Sequence, residues 1–170
     1  MDTVKYCMSI REPYVSLIVA KEKTLEYRSK KLIARTPQTI AIATSKAGAG
    51  DYLPGGHIVG VARVSSVVPW NDSNLDFWNR AAMEKSDGLM GGGYAMLISA
   101  FAACRPVAVR GNVGIYKAPE GFKPEYAETD AQLKRWWKTA RVWSYGAADD
   151  DEKELMSLML KHGLGWRIDD

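Results

Sequence analysis

Hydrophobic and polar positions alternate along much of the first two-thirds of this chain, and the alternation changes period at definite places. Residues 5–10 alternate with period two and predict a first strand. Residues 13–20 change to a helical period, with Pro13 in the first turn, where its missing N–H leaves no bond unmade. From Thr24 to Arg28 the period returns to two, so Thr24, Glu26 and Arg28 share one strand face while Leu25 and Tyr27 occupy the other. Further strands are predicted over 39–43, over 57–68 after the Pro54-Gly55-Gly56 turn, over 94–103, over 106–109 and over 114–117.

Three helices complete the pattern. Residues 73–87 place Leu75, Trp78, Ala82 and Met83 on one face, with Gly88 as a stop. The Gly91-Gly92-Gly93 run that follows is the most permissive backbone of the chain and predicts a loop rather than a hinged lid. After the connector marked by Pro119, Gly121 and Pro124, Thr129-x-x-Gln132 forms a capping box ahead of Leu133, Trp136, Trp137 and Ala140. The last helix opens on the acidic run 149–152, which suits a helix N-terminus, and closes with Lys161 and His162 before Gly163.

Length and composition narrow the classes. A chain of 170 residues suffices for one well-buried core, and 46% hydrophobic with 25% charged residues is usual for a soluble globular protein. Cys7 and Cys104 are the only cysteines and sit in apolar surroundings, which predicts buried thiols and no disulfide framework. No apolar run is long enough to span a bilayer and the N-terminus lacks a basic, then apolar, leader, so a cytoplasmic location and no membrane partner are expected. The net charge is only +3, so affinity for nucleic acid must come from a local patch. Lys21, Lys23, Arg28, Lys30, Lys31 and Arg35 form one, against Glu22 and Glu26 alone. Such a cluster can hold phosphates or can be an ordinary solvated loop, and charge by itself leaves both open.

With two histidines and no Cys/His or His-Glu-x-x-His spacing, no metal or cofactor is expected. The candidate chemistry is therefore Lys23, Thr24 and Glu26, with Arg28, Tyr14 and Tyr94 around them. A desolvated Lys23 beside Arg28 would serve as a base or activate a nucleophile; a solvated Lys23–Glu26 pair would do neither. The tryptophan-rich segment Lys134-Arg135-Trp136-Trp137-Lys138, with Arg141 and Trp143, either stacks unpaired bases or packs a helix on the core. The helical spacing of Trp136, Ala140 and Trp143 favours packing.

Four blocks, taken in order, resemble the ASCH family, a small β-barrel domain related to the PUA RNA-binding fold. They are Ser9-Ile10-Arg11-Glu12-Pro13-Tyr14, Lys21-Glu22-Lys23-Thr24-Leu25-Glu26-Tyr27-Arg28, Gly55-Gly56-His57-Ile58-Val59-Gly60-Val61 and Pro106-Val107-Ala108-Val109-Arg110-Gly111-Asn112-Val113-Gly114-Ile115-Tyr116. Lys21 stands where the family usually has glycine, which implies a strained or altered helix end. The resemblance implies an α+β fold: a PUA-like mixed barrel over 1–118 with short flanking helices, followed by a two-helix extension over 119–170 packed on it.

It also implies a basic cleft for RNA, another single-stranded nucleic acid or a modified nucleoside. Lys23 and Glu26 lie at its heart, Arg28, Tyr14 and Tyr94 around the base, and Lys30, Lys31 and Arg35 on the backbone. One branch of the family hydrolyses N4-acetylated cytidine with a lysine matching Lys23, a threonine at the place of Glu26 and a distant glutamate. Here Glu26 removes that hydroxyl, Thr24 is displaced by two residues, and neither Glu84 nor Glu120 falls in a convincing motif. Recognition of a nucleobase is therefore the expected role. A metal-independent hydrolase, either ribonuclease or amidohydrolase, is the alternative, and a protein partner docked through 129–144 is a third.

Overall fold

The structure, a computed structural model, describes residues 2–46, 53–71, 92–140, 157–161 and 164–168. The helix expected at 73–87 with Glu84, as well as Gly91, Arg141, Trp143 and the acidic start of the last helix, lies outside the described residues. Among the described residues seven strands form one sheet: β1 (Tyr6–Ile10), β2 (Leu25–Arg28), β3 (Gln38–Thr44), β4 (His57–Pro69), β5 (Tyr94–Ala108), β6 (Ile115–Lys117) and β7 (Gly165–Arg167). The order is β2-β5-β4-β3-β1-β6, with β7 on β5 beyond the end of β2. Among the described strands only β1 and β3 pair in parallel, which requires a crossover; α1 (Tyr14–Val19) and β2 supply it. The sheet curls into a half-barrel, the mixed α+β architecture expected for a PUA-like domain.

The period-two positions sort as alternation requires. Met8, Ile10, Ile40, Ile42, Met96 and Ile98 point into the main core, which α1 and α2 (Asp130–Ala140) cover. Cys7, Ala41, Ala43, Ile58 and Cys104 point the other way into a smaller cluster closed by Phe122. Leu25, Trp70 and Ala95 form a third beside β2. At Gly60 the β4 backbone passes so close to Phe101 and Ala102 that a side chain would collide with both.

Two expectations change. The break expected at residues 104–105, ahead of Pro106, is absent, and β5 runs unbroken through it. Ala103 pairs with Gly60 and Val107 with Ile58, so four steps on β5 meet two on β4, and the bulge takes Pro106 out of the ladder. The C-terminal segment carries a short helix over 157–161 and then β7, where the residue pattern predicts no strand. In α2 the capping box forms with a shift: Thr129 Oγ1 accepts from Gln132 N at 3.2 Å, while Gln132 Oε1 accepts from Glu128 N, one residue earlier than expected, at 2.8 Å. Trp137 is buried in the main core and Trp136 packs at its edge beneath Arg105, whose guanidinium is 5.7 Å from the ring. These two tryptophans therefore serve packing. Among the described residues, no helix is long and apolar enough to cross a membrane.

Candidate nucleic-acid interface

The helix–strand junction that carries the candidate residues is built by an uncommon helix end. Lys21 adopts φ 62°, its N–H bonds to the Ile18 carbonyl and the Glu22 N–H to the Leu17 carbonyl, the paired pattern of a Schellman motif. The Lys23 N–H also reaches the Leu17 carbonyl, which turns the chain into β2. A left-handed conformation at lysine costs about 1 kcal/mol relative to glycine. The side chain offsets part of this, because Nζ donates to the Arg167 carbonyl at 3.2 Å and lies 5.9 Å from the Trp166 ring. Trp166 in turn donates its indole N–H to the Ile18 carbonyl at 2.9 Å, so β7 clamps the end of α1.

On β2, Glu26 pairs with Met96 and Arg28 with Tyr94, so these four side chains share the inner sheet face. Lys23 is fully enclosed, and its Nζ is 3.3 Å from Glu26 Oε2. That burial excludes a solvated Lys23–Glu26 pair. Arg28 Nη2 lies 3.1 Å from Glu26 Oε1 and donates to the Ser9 carbonyl, also at 3.1 Å. A carboxylate is thus held between two cations, one of which is anchored to β1. Tyr14 closes the site from α1, its ring centroid 5.3 Å from Lys23 Nζ. Tyr94 is half-buried next to Arg28 in the register.

Hydrogen bonding inside the trio is incomplete. Among the described residues, no hydrogen bond reaches Glu26 Oε2, and none leaves Arg28 Nε, although both atoms are buried. Buried polar atoms left in this state are uncommon in folded proteins; Glu26 Oε2 still faces Lys23 Nζ across the ion pair, so Arg28 Nε is the donor of the trio left unbonded.

The remaining candidates separate. Thr24 precedes β2 and is half-buried; its carbonyl accepts the Ile98 N–H. Lys30, Lys31 and Arg35 are exposed on the loop after β2, apart from the enclosed trio. Glu120 is exposed near the Gly121 turn. Two participants escape a reading of the sequence. The Ser9 carbonyl holds Arg28, and a backbone acceptor leaves no trace in residue type. Glu12 is buried and accepts from Ser16 N at 3.0 Å and from Ser16 Oγ at 2.7 Å, fixing the start of α1 below Tyr14. A Glu placed four residues before a Ser at a helix start was the available signal.

Across the sheet, a separate polar chain keeps its groups protonated. Cys7 Sγ donates to Tyr116 Oη at 3.3 Å, and Tyr116 Oη is 2.7 Å from Ser9 Oγ. Burial pushes the Cys104 thiol up to about 12. The Tyr116 phenol is also pushed up to about 12, mainly by burial. Neither thiol is poised as a nucleophile, as expected for buried cysteines.

The ASCH domain profile matches residues 8–98, more than half of the chain, and the protein belongs to that family. A crystal structure of ASCH from Zymomonas mobilis superposes with a TM-score of 0.57 at 14% identity, over 68% of this chain and 87% of that one. Two single-substitution variants of the same protein, one tyrosine-to-phenylalanine and one serine-to-alanine, give the same score and identity, with 91% and 89% of their chains covered. At this identity the likeness shows the fold. No curated protein matches the chain.

Proposed function

We propose that the protein binds an exposed nucleobase, of single-stranded RNA or of a modified nucleoside, in the cleft of Lys23, Glu26 and Arg28. The observation that carries this is the buried charged trio beside one sheet face, in which Arg28 Nε makes no hydrogen bond among the described residues and Glu26 Oε2 meets Lys23 Nζ only as an ion pair. Cytosine offers the complement along one edge: its exocyclic amino group donates to a carboxylate, and its ring nitrogen or carbonyl accepts from a guanidinium. Tyr14 and Tyr94 supply aromatic faces near the base, and Lys30, Lys31 and Arg35 face solvent where a phosphate backbone can run. Membership of the ASCH family supports the same class of ligand.

A hydrolase built on the same cleft is the second possibility, with the enclosed Lys23 beside Glu26 as its reacting group. Against it, the position that would hold a hydroxyl is Glu26, engaged by cations on both sides, and Thr24 lies outside the trio. One experiment separates these. Short single-stranded RNAs, cytidine and N4-acylated cytidines are titrated into wild type, Arg28→Gln and Lys23→Ala, with product analysis in parallel. Binding without turnover, weakened by about tenfold in Arg28→Gln, is expected, the size usual for one well-placed base contact. Unchanged affinity in Arg28→Gln overturns the base-binding role of the cleft. Turnover that disappears in Lys23→Ala replaces recognition by catalysis.

A further inference from the structure

A polar cavity opens at the foot of the β3–β4 connection. It encloses about 470 Å³ between the end of β1, the end of β3, the start of β4 and the segment after β5. That volume falls in the range of small-ligand sites. Lys46 and Arg110 line it together with Ser9, Thr44 and Asn112, and among the described residues no carboxylate does. Both cations are exposed, and among the described residues neither forms an ion pair.

Thr44 distinguishes this cavity from a chance basic surface. Its side chain is almost wholly buried, yet among the described residues its Oγ1 has no hydrogen-bond partner. Its carbonyl is already taken by the Gly56 N–H at 2.6 Å, which fixes the strand end where the residue lines the cavity. An enclosed hydroxyl without a partner, flanked by two cations outside any ion pair, is a donor set for a ligand with several negatively charged oxygens.

Ser9 links the two sites. Its carbonyl anchors Arg28 in the cleft, while the residue itself lines the cavity. We infer that this cavity is the phosphate subsite of the nucleotide-binding cleft, with Lys46 and Arg110 as counter-charges and Thr44 as hydroxyl donor. The assignment of the ligand as a nucleotide rests on the function proposed above; the affinity for phosphate does not. A phosphate group carries up to two charges and several acceptor oxygens, which matches two cations and a hydroxyl better than a carboxylate would. The group can be the terminal phosphate of a mononucleotide or an internal phosphodiester of a single strand.

The test uses the whole chain as wild type, Thr44→Val and the double variant Lys46→Ala/Arg110→Ala. Calorimetry compares cytidine, cytidine monophosphate and a short oligocytidylate, and amide NMR follows inorganic pyrophosphate. In wild type the phosphate is expected to add about tenfold in affinity over cytidine, as charge-assisted contacts do. The double variant loses that increment while cytidine binding stays unchanged, and Thr44→Val loses a smaller part. A gain appearing only with the oligonucleotide identifies a phosphodiester, and a gain with the monophosphate identifies a terminal phosphate.

Equal increments in wild type and the double variant overturn the subsite. If no nucleoside binds at all, the base-binding proposal fails separately, and pyrophosphate decides. Shifts at the Thr44 and Asn112 amides that vanish in the double variant sustain the subsite, and no shifts in wild type overturn it.

Discussion

The cations at 23 and 28 and those at 30, 31 and 35 lie on one short stretch of chain, yet the first set is enclosed and the second faces water. Lys23 has no exposed side-chain surface and Arg28 retains 23%, and both are held by a carboxylate that is itself 9% exposed. Lys30, Lys31 and Arg35 are exposed. Formal charge is the same in the two groups, but the environment gives them different tasks. The enclosed set has fixed directions and can discriminate one ligand edge from another. The exposed set has freedom and salt sensitivity, which suit contact with any phosphate backbone.

Removing the carboxylate is the harshest way to break this contrast. Glu26→Ala leaves Lys23 enclosed without its counter-charge and is expected to lower stability by about 3 kcal/mol, read from a urea unfolding midpoint. An unchanged midpoint would mean that water already reaches Lys23 and that the two groups of cations do not differ. A third set of titratable groups, on the opposite face of the sheet, sharpens the contrast, because there burial keeps the groups neutral. The Cys104 thiol is raised from 9.0 to about 12 by burial, so the folded state holds its proton where the unfolded state has released it. Its contribution to stability is complete below about pH 9 and declines as pH climbs toward 12. Unfolding curves at pH 8 and above pH 10 should show the fall, and a thiol reagent at pH 8 should label Cys104 only after unfolding.

Smaller effects probe the junction and the loop. Lys21→Gly relieves the left-handed strain but removes the bond to Arg167 and the approach to Trp166, so a net gain below about 1 kcal/mol is expected from thermal unfolding. The triple change of Lys30, Lys31 and Arg35 to alanine should move stability by less than about 0.5 kcal/mol. It should also reduce the salt dependence of RNA binding, with a slope smaller by about 0.7 for each phosphate no longer neutralised, and leave cytidine binding unaltered. A stability loss as large as that of Glu26→Ala would place the loop among the structural charges.

Much of this was legible in residue order, for definite reasons. The period-two pattern of Thr24, Glu26 and Arg28 placed Glu26 and Arg28 on one face, and the register with Met96 and Tyr94 agrees. Lysine at position 21, where the family usually has glycine, pointed to a left-handed residue, and Lys21 is one. Burial of Lys23 was not legible, because it depends on Tyr14 and on the barrel closing over the junction. The continuity of β5 was hidden by Pro106, which stays in the strand only because a bulge spares it a ladder bond. Strand β7 was hidden by its length of three residues and by a pairing partner far back in the chain.

The indole of Trp166 bonds to a carbonyl 148 residues earlier. During synthesis the chain emerges N-terminus first, at roughly 5–20 residues per second. Lys23, Glu26 and Arg28 therefore leave the ribosome many seconds before the clamp on their junction exists. The junction beneath the three charges is therefore completed only once residues 165–167 have been made, late relative to the charges themselves.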